Sequence, residues 1–474
     1  PSVGLLAMIG MLLPEIQQGR LQILYRTRPI SVDRNPDRIM SVTVQGTGDS
    51  QERTEIHASW FLDATELGDL LPLADVPWVT GAESFEQTGE PDARRDGAKP
   101  HLTQSWTMPF VVDFCRGQDH TIQRPPDYEG LRDGQPFSLT TSFLEDLTGA
   151  SESFWVQHRI LSAACFEAGE VPGDLLLING SCIDFTGGDL IGASSEERDK
   201  LIQQARELSL SFLYWLQTEA PREDAQGYPE LRLRTDVLGT DDGLSMRPHV
   251  RESRRIIGRK TIRQQDVSAQ YQSGARGADF IDSIGVGWHP IDIHSMPEDV
   301  AATGETRPFQ IPLGALIPES GPVNLLPACN NIATTHMTNG CYRQHPVQWN
   351  IGEATGALAA YCLAHKCSAA AVHEQQQHLR RFQAGLVEAG VPLYWFTDVP
   401  ADHNAYAATQ QLAVRGILPG AEDDLLFRPE EALAEEEATR LFGDSQGKTP
   451  AGVSSRADAA IAAAALLSAT DVST

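Results

Sequence analysis

Over residues 322–361 the apolar pattern changes period once. Val323 to Pro327 form a short continuous apolar run, Ala328-Cys329-Asn330-Asn331 interrupt it with small polar positions, and His336, Gly340, Arg343 and His345 mark a loop. From Pro346 onward, Trp349, Ile351, Leu358, Tyr361 and Leu363 continue an apolar helical stretch, and proline suits a first turn whose N–H has no partner to lose. The pattern predicts strand, loop, helix. Gly352, Gly356 and Ala360 recur at every fourth position and leave one helix face nearly flat, so a second backbone or a flat ligand can approach. The free amides of the first turn point at the preceding loop and suit an electron-rich oxygen. The same spacing also suits a tightly packed strand–loop–helix that holds nothing.

Upstream, residues 21–27, 38–46 and 54–64 read as strands, separated by Asn35-Pro36 and by Gly46-Thr47-Gly48-Asp49. The third ends in Asp63-Ala64-Thr65-Glu66, small residues at the carboxyl end of an apolar strand, where ligands of open α/β sheets sit. From about Thr80 to Pro308 strands, loops and helices mix. Helices are expected over 142–147, 154–167 and 197–217, the last with Leu201, Ala205, Leu208, Phe212 and Leu216 on one stripe. Residues 4–13 are apolar, without a basic flank, and predict a buried helix rather than a signal peptide. Near the other end, Leu379, Phe382 and Leu386 give a narrow stripe to a polar helix. Ala405, Ala408, Leu412 and Ala413 stop at Gly416, and Ala434, Ala438, Leu441 and Phe442 stop at Gly443. The last thirty residues read as a mobile tail with an alanine-rich helix over 459–467.

The 474 residues suffice for two or three domains, and 41% apolar with 21% charged residues is ordinary for a globular protein. A net charge of −27 argues against nucleic acid or an anionic membrane as the main partner. The seven cysteines form no CxxC pair, so neither a disulfide framework nor a metal site is suggested; reduced thiols favour the cytoplasm. No run is long and apolar enough to span a bilayer.

Several segments together resemble the bacterial FAD-dependent oxidoreductases of the glutathione-reductase-like class. They are DATELGDL (63–70), RESRRIIG (251–258), DSIG with PIDIH (282–294), TRPFQIPLGALI (306–317) and the strand–patch–loop–helix of 322–361. The match departs at Glu66, where glycine is common, and at Ala328-Cys329-Asn330-Asn331, where the family usually has Gly followed by Arg or Asp. The resemblance implies an α/β fold: an FAD/NAD(P)-binding Rossmann-like domain, incomplete here, with an inserted α+β substrate or cap domain and a small helical C-terminal module. It places FAD against Ala64, Thr65, Glu66, Asn330 and Asn331, with the amides of Val347, Gln348 and Trp349 near the flavin carbonyl. Arg343 stands on the substrate side, and His294, His336 and His345 are the proton carriers.

RESRRIIG itself reads as a salt-bridged surface or domain hinge in preference to an anion site. No G-x-G-x-x-G turn occurs, which suggests that the mononucleotide-binding half lies upstream and that this chain holds FAD weakly. On the same basis the domains are 1–79 and 306–368 for FAD, 80–305 for the cap, 369–393 a linker helix, 394–443 a small module and 444–474 a tail. The module, through FTDVPADH, AVRGILPG and FRP, resembles a single S-layer-homology repeat, a cell-wall polymer binder in other proteins; a docking role is expected here. The function implied is hydride or electron transfer between FAD and a small-molecule substrate. The alternative is a non-catalytic cell-envelope binding protein with a flavoprotein-like body.

Overall fold

The computed structural model describes residues 2–48, 51–139, 143–144, 153–222, 225–294, 296–298, 303–418, 424–443 and 449–473. The chain divides into two compact units, one of Pro1–Tyr25 with Gln104–Arg251, the other of Arg26–Thr103 with Glu252–Thr474. Residues 80–103 and 252–305 thus pack with the second unit, and 104–251 with residues 1–25 in the first.

In the first unit the strands Arg159–Leu161, Leu175–Ile178, Phe110–Phe114 and Leu231–Leu233 form an antiparallel sheet in that order. The helix Ser195–Thr218 starts at Ser194, whose hydroxyl accepts the Glu197 amide, and it buries the predicted stripe of Leu201, Ala205, Leu208, Phe212 and Leu216. Ser209 Oγ donates to the Met108 carbonyl at 2.9 Å. The helix expected over 154–167 is only Phe154–His158, because Arg159 turns extended and the chain joins the sheet. The helix expected over 142–147 lies, apart from Phe143 and Leu144, outside the described residues. Ser2–Gln17 is helical, but Val3, Leu6 and Met11 are 81%, 67% and 63% exposed, so the expected burial is not found among the described residues.

The second unit opens with an antiparallel sheet of Thr27–Arg34, Ile39–Gly46 and Arg53–Ile56. The strand expected over 21–27 is not formed: of those residues only Thr27 pairs in the sheet, after a turn at Arg26 with φ 52°, and the observed strand is Thr27–Arg34. Asn35 Oδ1 accepts the Asp37 and Arg38 amides and closes the Asn-Pro turn. The third expected strand splits. Arg53–Ile56 stays on this sheet, while β1 (Phe61–Asp63) leaves it. Further along come β2 (Ser283–Gly287), β3 (Ile291–Asp292), β4 (Phe309–Pro312) and β5 (Leu325–Pro327), then α1 (His336–Tyr342), α2 (His345–His365) and α3 (Gln376–Glu388). β2 pairs antiparallel with β4; β5 pairs parallel with β1, in the register Leu325–Phe61, Leu326–Leu62, Pro327–Asp63. Phe61, Leu71, Ile284, Phe309, Leu325 and Ile351 belong to one buried cluster.

That cluster continues into α4 (Tyr406–Ala413), α5 (Glu435–Phe442) and α6 (Arg456–Ser473). α3 buries Leu379, Phe382 and Leu386 as predicted, and its Gln383 Nε2 donates to the carbonyls of Ile281 and Ser283 at 3.0 and 2.9 Å. The expected tail is corrected over 459–463: Ala459, Ala460 and Ala463 of α6 are buried, because alanine lets α6 pack closely against α4. Among the described residues no helix is long and apolar enough to cross a membrane.

Candidate functional site

β1 and β5 end side by side, and Asp63 organises both exits. Its carboxylate accepts the Thr65 amide (2.9 Å), the Thr65 hydroxyl (2.7 Å) and the Leu70 amide (3.2 Å), while Thr65 Oγ1 accepts the Asp69 amide at 2.6 Å. These bonds wind residues 63–70 into a tight turn. Burial nevertheless pushes the Asp63 carboxyl above its ordinary value, against the pull of the Thr65 bonds. The Asp63 carbonyl accepts the Ala328 amide at 2.8 Å and Asn331 Nδ2 at 2.9 Å, and Asn331 Oδ1 takes the Cys329 amide. The two segments that sequence reasoning set apart by more than 260 residues are thus one knot. Asn330 and Asn331 are buried, Ala64 and Glu66 exposed, and Thr65 is half-buried. Burial pushes the Cys329 thiol up to about 12, so it is neutral.

RESRRIIG passes beside this knot. Gly68, at φ 63°, lies so close to Arg254 that a Cβ there would stand 3.1 Å from the Arg254 Cβ and carbonyl oxygen. Arg254 Nη1 donates to the Leu67 carbonyl at 2.7 Å. The segment is salt-bridged, as expected, but from Glu252 to Arg255 it is buried rather than at the surface. Arg255, fully buried, bonds Glu252 and, at 2.7 Å, Glu83. Glu252 accepts the Gly81 amide at 3.0 Å and meets His336 Nδ1 at 2.8 Å. Burial alone would raise the Glu252 carboxyl; the His336 and Arg255 charges overcome it and hold it at about 2.

α1 starts where Thr335 and Thr338 cap each other, each hydroxyl accepting the other's amide. Thr335 Oγ1 also donates to Glu90 at 2.6 Å, and the His336 amide donates to Glu83 at 2.8 Å. His336, Glu83, Glu90, Gln264, Ile291 and Met337 line a cavity of about 480 Å³. At the other end of α1, Arg343 Nη2 donates to the Asp292 carbonyl (3.1 Å) and carboxylate (2.9 Å), and His294 Nε2 lies 3.2 Å from that carboxylate. Gly340 permits this: a Cβ there would stand 2.9 Å from the Asp292 nitrogen.

The predicted residues therefore fall into groups. Ala64, Thr65 and Glu66 meet Asn330 and Asn331; Arg343 meets His294 through Asp292; His336 sits with Glu252; His345 is exposed at the first position of α2. The three expected amides need correction. The Gln348 amide already donates to the Gln344 carbonyl at 2.9 Å, and Trp349 lies one position deeper, so the amides ahead of the first helical bond are those of His345 and Val347. The flat face of α2 is used once by backbone: a Cβ at Gly352 would stand 3.3 Å from the Ala328 carbonyl oxygen, whereas at Gly356 it would meet nothing within 4 Å. Sequence reasoning missed Glu83 and Glu90, single acids in a polar stretch with no motif around them. Asp63 had a signal, an aspartate closing an apolar strand two residues before a threonine.

The knot brings carbonyl, carboxamide and hydroxyl groups together at the paired strand ends. Beside it Ser253 Oγ and Arg254 Nε are buried without a hydrogen-bond partner among the described residues, and a ligand oxygen would satisfy both. No curated protein and no solved structure matches the chain. A family model described as FAD dependent oxidoreductase matches residues 1–386, a span that takes in β1, RESRRIIG, α1 and α2 and stops inside α3, ahead of the C-terminal module. On that match the chain belongs to the FAD dependent oxidoreductase family and is an enzyme with FAD as its cofactor.

Proposed function

We propose that Ala64, Thr65, Glu66, Asn330 and Asn331 hold the riboflavin half of FAD at the paired ends of β1 and β5, with the start of α2 at its polar edge. The observation that carries this reading is the Asn331–Asp63 bond of 2.9 Å, which makes one surface of two distant segments. When bound, FAD supplies hydride or electron acceptance, and the protein positions a small-molecule substrate and tunes charge. Within this reading the cavity beside α1 receives the substrate. His336, oriented by Glu252, holds or moves a proton there. Arg343, fixed by Asp292, binds a carbonyl or anionic group, His294 shares that carboxylate, and exposed His345 exchanges protons with solvent.

Residues 394–443 take a docking role within the same body. What supports this is Arg276, which donates to the Trp395 carbonyl at 2.9 Å and to the Asp424 carbonyl, and Gln310, which donates to the Leu393 carbonyl at 3.1 Å. Contact with a cell-wall polymer has no such support.

The test is a titration of the purified chain with FAD, followed by flavin fluorescence and blue absorbance. Asn331→Ala should weaken binding at least tenfold, and His336→Gln should leave it unchanged. Equal affinity of the wild type and Asn331→Ala would overturn the placement.

A further inference from the structure

A second cavity of the same unit, about 410 Å³, is lined by Arg38, Trp60, Cys362, Lys366 and Cys367 and has no part in the function above. At its wall α2 ends. Lys366 takes φ 54° and ψ 41°, and the Cys367 amide donates to the Cys362 carbonyl at 3.2 Å. This is the six-to-one bond of a Schellman ending, the arrangement in which the side chains of these two positions meet. Here both are cysteines, and both are free thiols. One backbone hydrogen bond across the pair keeps the two main chains within the reach of a disulfide. Cys362 is 2% exposed, while Cys367 is only half-buried and faces the cavity with Lys366 and Arg38.

We propose that Cys362 and Cys367 are a peroxide-reactive dithiol that closes to a disulfide at the end of α2. Cys367 is the nucleophile, because it is the more accessible of the two sulfurs and lines the cavity that a peroxide would enter. Its sulfur attacks one peroxide oxygen, the O–O bond breaks, and the departing oxygen takes a proton to leave as water or an alcohol. Cys367 is then a sulfenic acid. The Cys362 sulfur attacks the Cys367 sulfur; S–S forms, S–O breaks, and the Cys362 proton leaves with the displaced hydroxide as water. Two thiols lose two electrons and one peroxide is reduced. Burial pushes the Cys362 thiol up to about 12, which disfavours it as the first attacker.

The experiment treats the full chain with hydrogen peroxide and digests it with trypsin without reduction. Cleavage after Lys366 separates the two cysteines, so the disulfide appears as peptide 344–366 joined to peptide 367–380. Free thiols counted in denaturant should fall from seven by two, to five, and return with dithiothreitol. Cys362→Ser should stop at an oxyacid of Cys367, and Cys367→Ser should leave Cys362 unmodified. An unchanged thiol count, a linkage through any other cysteine, or wild-type Cys367 passing to sulfinic acid beside a free Cys362 would each overturn the proposal. Should either variant fail to fold, the wild-type peptide map still decides, and it decides whether or not FAD is held at the site proposed above.

Discussion

Replacing Gly340 with alanine adds one methyl group where α1 touches β3. That methyl would stand 2.9 Å from the Asp292 nitrogen, 3.0 Å from its carbonyl oxygen and 2.8 Å from Ile293 Cδ1. The isoleucine end can swing aside, but the two backbone atoms cannot, so α1 and β3 must separate by a few tenths of an ångström. Overpacking of this kind costs about 1–3 kcal/mol. The separation also stretches the two bonds from Arg343 to Asp292, now 2.9 and 3.1 Å, and hydrogen bonds to charged groups are worth about 1.5–3 kcal/mol. Alanine's helix preference returns about 1 kcal/mol, leaving a net loss of about 2 kcal/mol. Gly356→Ala is the control: its methyl meets nothing within 4 Å in the middle of α2, so it should gain up to about 1 kcal/mol. Thermal unfolding followed by circular dichroism should show the two variants moving Tm in opposite directions. If Gly340→Ala raises Tm as Gly356→Ala does, the close approach of α1 to β3 is not there.

Three further outcomes are expected. Asn331→Leu leaves the Cys329 amide and Asp63 carbonyl short of a partner and should lower stability by about 1–3 kcal/mol, read from the urea midpoint. Glu252 is held at about 2 against an ordinary 4.5, so it contributes on the order of 3 kcal/mol above its unfolded value, lost as pH falls towards 2; Glu252→Gln should flatten that acid limb of the Tm profile. Glu90 is shifted the other way: burial raises its carboxyl despite the bonds from Thr335 and Gln264, so its contribution is complete at low pH and lost as pH rises through the raised value. Glu90→Gln keeps an oxygen for both donors and should raise Tm more in mildly alkaline than in acid solution; an equal shift at both would refute the assignment.

The sequence was most legible where period and chemistry agreed. Pro346 and the apolar positions after it predicted α2, and α6-like alanine spacing and the stripe of 197–217 predicted helices that formed. The run Phe61–Asp63 was legible as the end of a strand, yet its departure from the sheet of Arg53–Ile56 was not, because only the distant β5 offers it a parallel partner. Residues 154–167 misled because helix and strand share an apolar, aromatic composition, and sheet pairing at Arg159 decides between them. At the site, Arg343 and the histidines stood out by type. Their partners did not: Glu83, Glu90 and Glu252 lie 253, 245 and 84 residues from the residues they bond at the start of α1, and burial, not spacing, gives them their weight.

Asp63 spends its side chain on its own turn and its carbonyl on a loop far along the chain. Neither turn can then be redesigned alone. A graft that imports residues 63–70 from a relative without 328–331, or the reverse, would inherit half of a lock. Engineering of cofactor choice in this protein has to treat the two loops as a single exchangeable cassette.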